Sequence, residues 1–295
     1  MLRGEPAEVC SHEGWVALDG QEDPPAAAWR DVVASRAWLA SASQDTVCTF
    51  ANDGTLDRWD LASDTRTWGK PVPNVQKVLA HEKGCYVLQS DGVASFWNER
   101  GERALVGHAA TAIATWEREL LVASAGKVMR VAIDGTAVGE VAVDERVTAL
   151  ARVGSWIGVG TVHGDIRCLA RDGRDTHQGM SLSGLPSTAV EVLLEGPADT
   201  VVAGFADGTV GVWDRKRGSQ VHTAFLHGKV AFLERSGGKV QAMSELGDHV
   251  VLDLDVLQRP YCEVMHDVWN RVPVVWEDGR AVQREEPGNH VCARR

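Results

Sequence analysis

Short apolar runs alternate with polar turns along almost the whole chain. Three segments show the pattern most clearly: ANDGTLDRWD at 51–60, QSDGVASFWN at 89–98 and FADGTVGVWD at 205–214. Each is a polar turn around Asp-Gly, then a short strand, then Trp followed by Asp or Asn. Asp-Gly suits a tight hairpin, because Gly takes a positive φ with no Cβ to clash. Weaker copies at 124–133, 161–170, 244–253 and 285–294 keep the same register. The turn glycines are Gly54, Gly92, Gly126, Gly164, Gly208, Gly247 and Gly288, spaced by 38, 34, 38, 44, 39 and 41 residues.

A regular spacing of this size predicts a repeat architecture. Before each turn lies another strand-like run, such as TVVAGFA at 200–206 or WIGVGTV at 156–162. Before that comes a third, such as VTALARV at 147–153, and after the Trp a fourth, such as SQVHTAFL at 219–226. Four strands per repeat make one small antiparallel sheet, a blade. The runs are near-continuous in Val, Ala and Leu, as expected when both faces of a sheet are covered. Two stretches exceed the minimal repeat. Residues 20–35 predict a short helix with Asp23 as cap and Pro24 or Pro25 in its first turn. Residues 172–187 predict an extended loop.

With these motifs the chain resembles the WD-repeat β-propellers from about residue 8 to residue 295. Gly107-His108 is similar to the family's Gly-His step, and His227 and His266 stand near the same place in later repeats. The resemblance implies a buried network of His, turn Asp, strand Ser/Thr and Trp. Asp53, Asp91, Asp207, Trp59, Trp97 and Trp213 occupy its Asp and Trp positions, and His108 its His position. No repeat retains all four members. The implied fold is all-β: a single seven-bladed propeller with four antiparallel strands per blade. Its blades fall at about 36–74, 75–108, 109–145, 146–187, 188–228, 229–265 and 266–295. After Gly288 only NHVCARR remains, so the last sheet needs a strand from elsewhere. The expected donor is part of residues 8–18, pairing beside 290–295 and closing the ring.

Composition narrows the function. Eleven Trp stand against two Tyr and five Phe, in keeping with a repeated Trp motif. The net charge is −11 and the densest basic run is Arg215-Lys216-Arg217, which argues against nucleic acid or an anionic membrane as a general partner. Glu5, Glu8, His12 and Glu13 leave no apolar leader near the start, and no run approaches the length of a membrane helix. The six cysteines at 10, 48, 85, 168, 262 and 292 never form C-x-x-C and mostly lie in apolar runs. They read as buried free thiols, hence a cytoplasmic location. Arg exceeds Lys by 23 to 7, a coding bias that suggests a GC-rich bacterial genome.

Catalytic spacing is missing from the sequence. There is no G-x-S-x-G, and Ser124-Ala125-Gly126-Lys127 matches S-x-x-K only across a strand turn. The ten His show no metal-ligand spacing, and no metal or cofactor is expected. The expected function is a non-catalytic scaffold that binds a partner protein or peptide on one face, as a subunit of a larger assembly. Aromatic and Arg anchors suit such a surface. The candidates are Trp269 and Arg271 at the entry to the last repeat, Trp68 in the connection before the second, Trp29 on the predicted helix, and Glu145 and Arg146. Trp116, Trp156 and Trp276 lie inside strand-like runs and read as core. The alternative is an enzyme or a small-ligand or metal binder using a central funnel.

Overall fold

The computed structural model describes residues 8–11, 14–17, 37–43, 45–63, 65–170, 182, 184–272, 274–277, 279–283 and 290–292. A hairpin of β1 (Glu8–Ser11) and β2 (Gly14–Ala17) comes first. The first sheet holds β3 (Ala37–Ser43), β4 (Thr46–Ala51), β5 (Thr55–Asp60) and β6 (Thr65–Pro71). The second holds β7 (Val75–His81), β8 (Gly84–Gln89), β9 (Ala94–Asn98) and β10 (Gly101–Val106). The third holds β11 (Ala110–Trp116), β12 (Glu119–Ser124), β13 (Lys127–Ala132) and β14 (Ala137–Ala142). The fourth has three described strands, β15 (Val147–Val153), β16 (Trp156–Thr161) and β17 (Ile166–Ala170).

The fifth sheet is again four-stranded: β18 (Val190–Glu195), β19 (Thr200–Phe205), β20 (Thr209–Asp214) and β21 (Gln220–Phe225). The sixth has β22 (Val230–Ser236), β23 (Lys239–Ser244) and β24 (His249–Asp253). A short 3-10 helix (Asp255–Gln258), helix α1 (Tyr261–Arg271) and a hairpin of β25 (Val274–Glu277) and β26 (Arg280–Gln283) follow. Every described strand pair is antiparallel and joins strands adjacent in sequence.

The turns explain the spaced glycines. Gly54, Gly92, Gly164, Gly208 and Gly247 each donate their N–H to the carbonyl three residues earlier, at 2.9–3.2 Å. Each sits at a φ between 81° and 93°, where a side chain is strained. The preceding Asp completes three of these turns. Asp53, Asp91 and Asp207 each accept from the backbone N–H two residues on, at 2.9, 3.1 and 2.9 Å.

The continuous apolar runs follow from the stacking of the sheets. In β8, Cys85 and Val87 face the core shared with the first sheet, while Tyr86 and Leu88 face the core shared with the third. In β19, Val201 and Ala203 pack toward the fourth sheet and Val202 toward the sixth. A strand buried on both faces has no polar face to alternate with. Five apolar clusters fill the five interfaces between successive sheets. Each fully buried Val or Leu there contributes about 1.5–3 kcal/mol.

Two expectations are corrected. The chain is not a single closed seven-bladed propeller: among the described residues it forms six separate three- or four-stranded sheets, none of which closes into a ring. Where a seventh four-stranded sheet was expected, α1 and the β25–β26 hairpin stand. The 261–271 segment carries Pro260 at its N-cap, Glu263 in the first turn and Arg271 in the last, all favourable to a helix. Among the described residues the closing strand is absent as well. β1 pairs with β2, its nearest partner along the chain, and residues 290–292 form a bend and turn instead of a strand. The β1–β2 hairpin lies beside β3 on one side and β22 and β23 on the other. The helix expected at 20–35 lies outside the described residues, as does most of the loop expected at 172–187.

The cysteines differ too. Cys48 and Cys85 form a disulfide, with Cα atoms 5.9 Å apart, and so do Cys262 and Cys292, at 4.9 Å. Cys48 on β4 and Cys85 on β8 stand one position apart in the repeat register, opposite Arg58 and Trp97, so they point to opposite faces of their own sheets and meet in the interface between them. Cys168 is a buried free thiol, pushed up to about 11 by burial. The reading of all six as free thiols therefore fails.

Candidate functional site

In an antiparallel meander, the first and third turns of a sheet share one end, opposite the Asp-Gly turns. At that end of the first two sheets lies a groove of about 330 Å³, lined by Arg58, Trp68, Glu82, Lys83, Asn98, Glu99 and Arg100. Arg58 on β5 and Trp68 on β6 are direct cross-strand partners. Glu82 and Lys83 come from the β7–β8 turn, and Asn98 to Arg100 from the β9–β10 turn. Trp68 is half-buried and packs on the apolar cluster that contains Cys48, Cys85 and Trp97. The disulfide thus lies in the core beneath the groove.

Arg58 and Lys70 are held in place by neutral acceptors, while Lys83 stands 3.9 Å from the Glu82 carboxylate. Arg58 donates to the hydroxyls of Thr46 and Thr67, both at 3.1 Å, and to the carbonyl of Glu82 at 2.9 Å. Its Nε is buried with no hydrogen-bond partner, and no carboxylate ion pair of Arg58 occurs among the described residues. Lys70 donates to the Glu99 carbonyl at 2.8 Å and stands 5.9 Å from the Trp68 ring centroid, a cation–π distance. The Arg100 N–H is held by the Asn98 side chain at 2.8 Å. A partly exposed indole beside fixed cations is suited to an acidic segment that also offers an apolar side chain.

The other candidates fall elsewhere. Trp269 and Arg271 lie on α1, not on an entering strand. Trp269 is half-buried, edge-on to His266 at 5.4 Å and His290 at 5.0 Å, and Arg271 is exposed. Glu145 accepts from Arg167 at 3.3 Å across the fourth sheet, and Arg146 is exposed. Trp29 and the Trp276 side chain lie outside the described residues. Trp116 is buried, whereas Trp156 is half-buried with the Arg215 guanidinium 6.0 Å from its ring centroid.

The expected repeat network takes a simpler form. Trp59 Nε1 donates to Thr49 at 3.1 Å and Trp97 Nε1 to Ser95 at 2.8 Å. Asp53, Asp91 and Asp207 brace their own turns, and His108 is exposed, with its carbonyl accepting from Ser124 at 3.4 Å. Trp213 is fully buried, edge-on to Phe205 at 6.0 Å.

Of the groove-lining residues, sequence reasoning singled out Trp68, in a connection where the structure has strand β6, and not Arg58, Lys83 or Arg100. The available signal was the place of Lys83 and Arg100 in the first and third turns of the second repeat, and of Arg58 on the strand leading to the third turn of the first. It also missed Lys77 on β7, whose ammonium is pushed below the usual lysine range by burial. Among the described residues, no cluster of three or more His, Cys, Asp or Glu is placed to hold a metal. No described helix is long and apolar enough to cross a membrane.

Fold and site together define a repeat-type all-β protein built of small stacked antiparallel sheets. No protein-family model matches the chain, and no curated protein matches it. Among solved structures it is similar to the computationally designed Ika8 protein, with TM-score 0.57 and 23% identity over 73% of this chain and 70% of that one. The computationally designed Ika4 protein matches with TM-score 0.43 and 25% identity over 50% of this chain and 91% of that one. The first likeness concerns the fold alone.

Proposed function

We propose that the chain is a non-catalytic interaction scaffold, whose groove between the first two sheets holds an acidic segment of a partner protein. The supporting observation is Trp68, half-exposed over a rigid core and flanked by Arg58, Lys70, Lys83 and Arg100, against two glutamates. This local positive surface belongs to a chain of net charge −11, so a partner is selected by the groove and repelled elsewhere. The cations sit on paired strands or on the turns that join them, which keeps the ordering cost of binding low. The thiol argument for a reducing cytoplasm is gone; a compartment that keeps both disulfides oxidised suits the chain better.

The test is fluorescence anisotropy with a labelled peptide of alternating Glu and Leu. A peptide with Lys in place of Glu serves as control. The acidic peptide binds, more weakly in high salt, and Trp68→Ala weakens it at least about tenfold while circular dichroism shows the variant still folded at the assay temperature. Equal binding by the folded Trp68→Ala variant, or preference for the basic peptide, overturns the reading.

A further inference from the structure

We propose that the outer edge of β24 takes up an extended strand from a partner protein, antiparallel to β24 and completing the sixth sheet. This surface is separate from the groove and does not depend on it. In the first, second, third and fifth sheets the chain turns back after the third strand and adds a fourth. All four of these pairings carry a register shift: at Arg58/Trp59, Ala104/Val106, Arg130/Val131 and Val212/Trp213. Such a bulge twists an outer strand away from flat pairing and protects it against added strands.

The sixth sheet ends differently. Its third strand is outermost among the described residues, and its pairing with β23 runs unbroken from Lys239↔Asp253 to Met243↔His249. The chain leaves it for the 3-10 helix and α1, and no described strand returns alongside. β24 reads HVVLD, with neither Pro nor Lys to blunt the edge. Leu252 and Val250 face the core shared with the fifth sheet, while Val251 is 50% exposed on the other face. Leu246, in the turn just before β24, is 71% exposed.

The neighbouring sheet and the local charges specify the guest. In the fifth sheet, β21 covers β20 by placing Ala224 against the same apolar cluster and leaving Phe225 outside. A guest on β24 therefore needs small apolar side chains on alternate positions. Asp253 and Asp255 stand at the C-terminal end of the edge, and Asp255 N–H is held by the Asp253 carboxylate at 3.1 Å. An antiparallel guest brings its N-terminal end there, where basic residues match the two acids. Backbone pairing supplies affinity, and these side chains supply selectivity.

The probe is a synthetic peptide with two lysines followed by the β21 sequence of residues 219–226, SQVHTAFL, titrated into the full chain. Hydrogen exchange locates the contact. The expected result is saturable binding with new protection at β24 amides. Methylating alternate peptide nitrogens weakens it at least about tenfold, because each methyl removes a ladder hydrogen bond. Asp253→Lys with Asp255→Lys weakens it several-fold and leaves the melting temperature unchanged. Absence of binding, indifference to methylation, or protection outside β24 overturns the proposal. So does concentration-dependent protection of β24 without peptide, which would make a second copy of this chain the occupant.

Discussion

The first five sheets and the C-terminal end are built from similar sequence but reach different states. In the fifth sheet, β19 is buried along its whole length and Trp213 is fully enclosed. In the sixth, β24 alternates with solvent, and α1 has no buried residue. α1 is held by the Cys262–Cys292 disulfide and by contacts of Tyr261 and Trp269 with His290. What separates the regions is a neighbour on each face. A sheet with two neighbours buries its second strand almost completely, as β8, β12, β16 and β19 show. A sheet at the end of the stack must leave one face to shorter elements.

The largest expected effect tests that difference with two tryptophans. Trp213→Ala costs about 3–5 kcal/mol in urea unfolding, whereas Trp269→Ala on α1 costs less than about 1 kcal/mol. Equal losses would mean that α1 is as integral as the fifth sheet. The disulfides give the next contrast. Replacing Cys48 and Cys85 by Ala lowers global stability by about 2–4 kcal/mol. Replacing Cys262 and Cys292 leaves the main transition in place and raises hydrogen exchange in α1 alone. Mass spectrometry of the unreduced chain should first show two disulfides.

A smaller contrast lies in two turn glycines of almost equal φ, 88° at Gly208 and 89° at Gly247. A Cβ on Gly208 would stand 2.0 Å from the Leu226 carbonyl oxygen, contributed by the chain just after β21. A Cβ on Gly247 would meet nothing within 4 Å. Gly247→Ala should carry only the left-handed backbone penalty of about 1–2 kcal/mol, and Gly208→Ala clearly more in the same melts.

The smallest effect is a pH dependence of the interior. His81 is buried, its Nδ1 accepts from the Lys83 N–H at 3.1 Å, and burial holds it below the usual imidazole range. The unfolded chain takes up a proton near pH 6.5 that the folded chain refuses until lower pH. Stability is therefore full above that value and falls as pH drops through it, by less than about 1 kcal/mol between about pH 7.5 and 5.5. His81→Gln should flatten this slope in urea melts at the two pH values.

Much of the repeat was legible because it is written locally. An Asp-Gly turn needs only its own four residues, so Gly54, Gly92, Gly164, Gly208 and Gly247 could be found and their positive φ foreseen. Trp68 was found as an aromatic in a connection. Its partners Arg58, Lys83 and Arg100 were not, because they come together only when two sheets stack. The closing strand failed for a related reason. Pairing residue 10 with residue 292 carries a large loop-closure cost, while Ser11 and Gly14 close a hairpin at once.

The sequence by itself determined an all-β repeat, its turn positions and the doubly buried character of its strands, since each follows from contacts within a few residues. Only the tertiary structure decided how many sheets form, that Cys48 meets Cys85, that a groove opens beside Trp68, and that β24 ends its sheet with a straight edge. Those features depend on which sheet packs against which, and a local pattern shared by every repeat cannot say where the stack stops.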